Sequence, residues 1–150
     1  MPGARAGAEA EGIAMSVHLP WNAMIAEGVL GYGGRREAAD LTTRLMKAVI
    51  LNLKSSHSFY QNYHAERGIG IGERNTAHGL APVGLFLDVL GVRNISSRSV
   101  HLDGRNPFPW PVTINYKGVT VLCGLDRTVI TFPNGKNIIV EDPAPCIVRM

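Results

Sequence analysis

Long hydrophobic runs, cysteines and blocks of like charge are all scarce in these 150 residues. Each scarcity removes a class of function. No apolar stretch approaches the ~20 residues that a membrane-spanning helix needs, so no membrane partner is expected. Two cysteines, Cys123 and Cys146, are too few for a disulfide scaffold. Without clustered histidines they are also too few for a structural zinc site. They read as two thiols in a reducing compartment. Charged residues make up 18% of the chain and the formal charge is only +3, with the basic residues scattered. Arg35, Arg36, Arg44 and Lys47 sit among Glu37 and Asp40, as on a solvated helix face. Nucleic-acid binding calls for a concentrated basic stripe with aromatics to stack on, so no nucleic-acid partner is expected. Residues 1–12 are rich in alanine and glycine, yet they carry Glu9 and Glu11 and no apolar segment of the kind a secretory signal has. A frayed leader over 1–15 and a cytoplasmic location follow as expectations.

Hydrophobic residues make up 45% of the chain, enough to bury a core. Order is expected to begin near Ser16. Pro20 suits the first turn of a helix. Trp21, Met24, Ile25, Gly28, Val29 and Tyr32 then recur at helical spacing, which predicts them as its buried face. Gly31, Gly33 and Gly34 end that helix. A second helix is predicted from about Arg36 to Lys54. Its buried stripe would be Ala38, Leu41, Thr42, Leu45, Met46, Val49 and Leu53. Two helices joined by so short a turn make an αα-hairpin. Residues Ser55 to Asn75 are polar and glycine-rich and read as a long loop. A third helix, starting between Thr76 and Pro82 and running to Leu90, is apolar nearly all round and expects neighbours on several sides.

From Val92 the pattern changes from helical to alternating. Val112–Tyr116 with Val119–Cys123, and Thr128–Phe132 with Asn137–Glu141, read as two hairpins. The second is joined through Asn134-Gly135, a strong turn signal. Val100–Leu102 is expected as an additional edge strand. Asn106–Pro111 holds three prolines and is no central strand. Helices first and strands afterwards predict an α+β chain, with a helical part over 16–91 and a small antiparallel β-domain over 92–150.

The run Val17-His-Leu-Pro-Trp-Asn-Ala-Met-Ile-Ala-Glu-Gly-Val-Leu-Gly-Tyr-Gly33 resembles a segment of the six-hairpin (α/α)6-barrel glycosidases. That clan includes trehalases, processing α-glucosidases, mannosylglycerate hydrolases and glycogen-debranching-type enzymes. Trp21, Asn22, Gly28, Tyr32 and Gly33 match its pattern, while His18 stands where the family has a tryptophan. The second matching run is Ser58-Phe-Tyr-Gln-Asn-Tyr-His-Ala-Glu-Arg-Gly68. It is similar to the family's Phe-Tyr-Glu-Asn-Tyr loop before the last barrel helix. The resemblance covers about half the chain. It implies that the helices are part of a toroid, and family members often carry a small β-rich domain after the barrel.

The resemblance also implies hydrolysis of an α-linked sugar with inversion. Such a reaction needs a carboxylic acid and a carboxylate about 6.5–9.5 Å apart. The family's base is the glutamate of Phe-Tyr-Glu-Asn-Tyr, and Gln61 stands at that position here. A carboxamide cannot take a proton from water, although it can hold that water. The general acid belongs to an earlier barrel helix with no counterpart in this sequence. A glycosidase-derived chain that is inactive alone is therefore the expectation. The alternative is a non-catalytic carbohydrate-binding or protein-interaction module.

Under that resemblance the sugar-facing candidates are His18, Trp21, Asn22, Phe59, Tyr60, Tyr63, Glu66 and Glu73, with Gln61 at the base position. Each has a plainer reading. Glu73 could lie in the first turn of the third helix, favoured by its dipole, and Glu66 could be a solvated loop charge. Trp21 and Trp110 suit either a pyranose face or the core. His18, His57 and His64 show no spacing that supports a metal, and Gly68–Gly72 lacks the strand and the Lys-Ser/Thr ending of a phosphate loop. No metal and no cofactor are expected. Incomplete barrel walls would leave apolar patches on Leu41–Leu53 and Leu80–Leu90. Their expected consequence is self-association, or a partner polypeptide supplying the missing helices.

Overall fold

A computed structural model describes residues 15–150, and the expected leader lies almost wholly outside them. The chain is α+β: among the described residues there are three helices and ten strands, every pairing antiparallel, in three sheets. A short strand β1 (Ser16–His18) leads into helix α1 (Leu19–Gly31), and α2 (Arg35–Ser56) follows. Next come β2 (Tyr60–His64) and β3 (Gly70–Arg74), a 3₁₀ turn (Ala77–Leu80) and α3 (Ala81–Leu90). The remaining strands are β4 (Val92–Ile95), β5 (Ser99–Leu102), β6 (Val112–Tyr116), β7 (Val119–Cys123), β8 (Thr128–Thr131), β9 (Asn137–Val140) and β10 (Cys146–Arg149).

The predicted hairpin of the first two helices is present, but α1 is turned over. Its buried residues are Leu19, Ala23 and Ala26. The expected core stripe faces outward instead, with Trp21 65% exposed, Met24 63% and Tyr32 96%. Both faces of α1 are apolar, so periodicity cannot choose between them. The face with two alanines is the one that lets α2 and α3 approach closely. On α2 the predicted stripe holds for Ala38, Thr42, Leu45 and Val49. Leu53 is exposed, and the buried face runs on through Asn52 instead.

The expected loop Ser55–Asn75 is mostly sheet. Strand β2 pairs with β3 and, across a long sequence separation, with β1, giving the order β1-β2-β3. Gly70 explains part of the glycine run. The Tyr60 ring lies over it, and a Cβ there would fall far inside van der Waals contact with Tyr60 Cδ2. Asn52 of α2 ties the hairpin down. Its Nδ2 donates to the carbonyls of Ala48 (2.8 Å) and Gly68 (2.6 Å), and its Oδ1 accepts from Gly70 N–H (2.9 Å).

Both hairpins predicted in the second half are present and join into one meander, β6-β7-β8-β9. Lys117 and Gly118 form the first turn at φ +49° and +76°, the doubly positive geometry that suits tightly twisted hairpins. Strand β5 is the centre of the third sheet, β10-β5-β4, and not an edge. Its Val100 and Leu102 are buried. The proline segment is irregular, as expected. Asn106 holds it by donating to the carbonyls of Trp110 and Cys123 and accepting from Phe108 N–H.

Helices and strands share a single hydrophobic core. Arg35, at the start of α2, bridges them. Its guanidinium donates to the carbonyls of Asp88 (3.2 Å) and Val89 (2.7 Å) at the end of α3, and lies 3.8 Å from the Asp103 carboxylate. Cys123 and Cys146 are free thiols.

Candidate functional site

The turn from β1 into α1 brings together three of the predicted residues. His18 is the N-cap of α1, and its Nδ1 accepts from Trp21 N–H at 3.3 Å. This meets one of the amide donors that a helix start leaves without an intrahelical partner. Asn22 Nδ2 donates to the His18 carbonyl at 2.9 Å. The other edge of the imidazole meets strand β2, where the side-chain amide of Gln61 lies 2.6 Å from His18 Nε2. The atom at that distance is Gln61 Nε2, and which of the two groups donates depends on the tautomer of the ring. Trp21 closes the cluster, its ring 6.3 Å from that of His18 and tilted by 55°.

The other predicted residues are divided. Tyr60 and Tyr63 belong to the core, 7% and 1% exposed. Their rings meet edge-on at 6.0 Å, and Tyr60 N–H donates to the Tyr63 hydroxyl at 2.9 Å. Burial pushes the Tyr63 phenol above its ordinary range. Phe59 is half-buried and covers Gly79. Glu66 sits in the exposed turn between β2 and β3. Glu73 is exposed on β3, and not in the first turn of a helix as its plainer reading had it.

A groove of about 470 Å³ opens between α2 and the β1–β2 edge. Asn22, Tyr63 and Glu66 line it, with Arg44, Lys47 and Arg67 as basic neighbours. His18, Trp21 and Gln61 do not. The predicted residues thus serve two surfaces: a groove wall, and an outward corner built on His18 and Gln61. Asn52, which holds the hairpin carrying Gln61, was not singled out from the sequence. An asparagine in the predicted buried half of a helix would have been the signal for it.

Chemically, the corner offers an exposed indole, two carboxamides and an imidazole. It can bind hydroxyls and an apolar ring face, and it holds no carboxylate. Among the described residues no cluster of three or more His, Cys, Asp or Glu side chains is arranged to hold a metal ion, and no helix is long and apolar enough to cross a membrane. Compared with protein-family models, curated proteins and solved structures, the chain matches none.

Proposed function

We propose that residues 16–91 are part of the wall of a six-hairpin glycosidase barrel, and that this chain binds α-linked sugars without hydrolysing them alone. The contact between His18 and Gln61 carries the reading. Two of the positions at which the sequence departs from the family pattern, tryptophan to histidine and glutamate to glutamine, are each other's partners at 2.6 Å. A paired change of this kind keeps the corner polar and hydrogen-bonded while removing the group that activates water. Trp21, 65% exposed beside that pair, supplies a flat apolar face for a pyranose. A second carboxyl group, the acid that inversion needs, would come from another polypeptide segment. A cytoplasmic location belongs to the same proposal, since two free thiols suit a reducing compartment.

Titration calorimetry of the chain with trehalose, maltose and isomaltose tests this, with NMR monitoring of released monosaccharide. Weak binding to at least one sugar, lost in Trp21→Ala and accompanied by no hydrolysis, is the expected result. No binding to any of them, or binding indifferent to Trp21→Ala, would sink it.

A separate observation favours an interaction role. Met24 and Ile25 on α1, Tyr32 at its C-cap, and Val83 and Leu87 on α3 remain in solvent, although the two helices pack on each other. In this second reading they meet a second copy, or a polypeptide carrying further barrel helices. Sedimentation of the native chain and of Ile25→Glu checks self-association. A monomer at every concentration removes that branch.

A further inference from the structure

A second groove, of about 540 Å³, runs along a neighbouring face of α2, shares Lys47 and Leu51 with the first, and holds none of His18, Trp21, Asn22 or Gln61. Its floor is apolar, with Met46 and Ile50 of α2 on one side and Phe86 of α3 on the other. Phe108 and Trp110, from the proline segment, continue that second wall. The three rings form a stack, Phe86 to Phe108 at 4.9 Å and 25°, Phe108 to Trp110 at 5.6 Å and 20°. Phe108 is 2% exposed and anchors the stack, while Trp110 is 44% exposed. Phe108 and Trp110 sit on an irregular segment that Asn106 pins in place, so the wall is held rigid before anything docks.

The rim is charged. Lys47 and Lys54 line the groove, both exposed. They stand seven residues apart, two turns and about 10 Å along the helix axis. Among the described residues neither has an ion-pair partner. Thr43, Met46, Ile50 and Lys54 recur at the three-and-four spacing by which one helix receives another.

We propose that this groove receives an amphipathic helix of another polypeptide, with an apolar stripe facing the aromatic wall and acidic residues about two turns apart facing Lys47 and Lys54. The open length of the groove along α2 suits a helix laid beside a helix. A second copy of this chain is a poor occupant. Helix α1 carries only Glu27, α3 only Asp88, and the acids of α2, Glu37 and Asp40, are three apart with Asp40 paired to Arg44 at 2.7 Å. None of these helices offers acids at the required spacing. The proposal does not rest on the sugar reading, because the His18–Gln61 corner lies outside this groove; Lys47 also borders the first groove, while Lys54 belongs to this one alone.

The test uses the whole chain and two labelled synthetic peptides of about 20 residues, long enough to hold a helix once docked. Both carry leucines at helical spacing. One has glutamates seven apart and its twin has lysines there. Fluorescence anisotropy should show the glutamate peptide binding about tenfold tighter than the twin. The preference should reverse in the double variant Lys47→Glu, Lys54→Glu. Ile50→Asp should abolish binding while circular dichroism shows the fold kept. Equal binding of the two peptides, or no binding of the glutamate peptide, overturns the proposal. So does palmitate displacing the peptide at equimolar concentration, which would make the groove an acyl-chain site. Binding that is lost as the chain self-associates would instead assign the groove to a second copy.

Discussion

The imidazole of His18 and the carboxamide of Gln61 join the start of helix α1 to the middle strand of the β1-β2-β3 sheet, at 2.6 Å. The same imidazole caps α1 through Trp21 N–H. Two elements far apart in sequence are thus held by one ring, and the expected cost of removing it has two parts. His18→Ala should lose about 1 kcal/mol for the cap alone. A double-mutant cycle of His18→Ala with Gln61→Ala should return a further coupling of about 1 kcal/mol in urea unfolding. Additive single effects would mean that the bond contributes nothing.

Asn52 makes three hydrogen bonds from a buried position and is the clamp on the hairpin that carries Gln61. Replacing it with alanine leaves the Gly70 N–H and the Gly68 carbonyl without their partner. We expect a loss of about 2–3 kcal/mol, since unsatisfied buried groups cost more than the bonds contribute. Hydrogen exchange should show the Gly70 amide losing protection while the β6–β9 meander keeps its own.

Two glycine-to-alanine changes should have opposite signs. At Gly70 the new methyl group collides with the Tyr60 ring, and a destabilisation of about 2 kcal/mol or more is expected. At Gly28, inside α1 with no heavy atom within 4 Å of an added Cβ, alanine should stabilise by about 0.5–1 kcal/mol. Thermal melts of the two variants against the parent chain decide both.

The parts that could be read from the sequence are those in which a short stretch decides its own structure. The turn Lys117-Gly118 and the pair Asn134-Gly135 lie inside their hairpins, and alternation on either side fixed which residues face inward. The αα-hairpin was legible for the same reason. The β1-β2-β3 sheet was not, because its pairing of Val17 with Tyr63 joins residues far apart and its strands read as polar and glycine-rich. Nor could the outward face of α1 be foreseen, since Trp21 and Met24 look like core by every local measure. Of the site, the resemblance placed His18 and Gln61 among the sugar-facing candidates, while their direct contact is visible only in the structure. The burial of Tyr60 and Tyr63 needed the sheet that periodicity missed.

Burial raises the Cys123 thiol to about 11. A folded-state value above the unfolded one means that the native chain holds this proton more tightly. Its contribution is fully present below the ordinary thiol range near ~8.5, and is lost as pH climbs from there through about 11. Urea midpoints should therefore fall over that alkaline window, and fall less steeply in Cys123→Val. At neutral pH the half-exposed Cys146 should react with a thiol reagent well before the buried Cys123.

A single guanidinium, that of Arg35, grips the last carbonyls of α3 and neighbours Asp103 as the chain enters its β-rich end. Beyond that point β10 returns to pair with β5 and Phe108 stacks on Phe86, so cleaving the exposed peptide near Arg105 should leave two pieces that stay together. With one core shared by helices and strands, a thermal melt of the nicked chain should show a single transition.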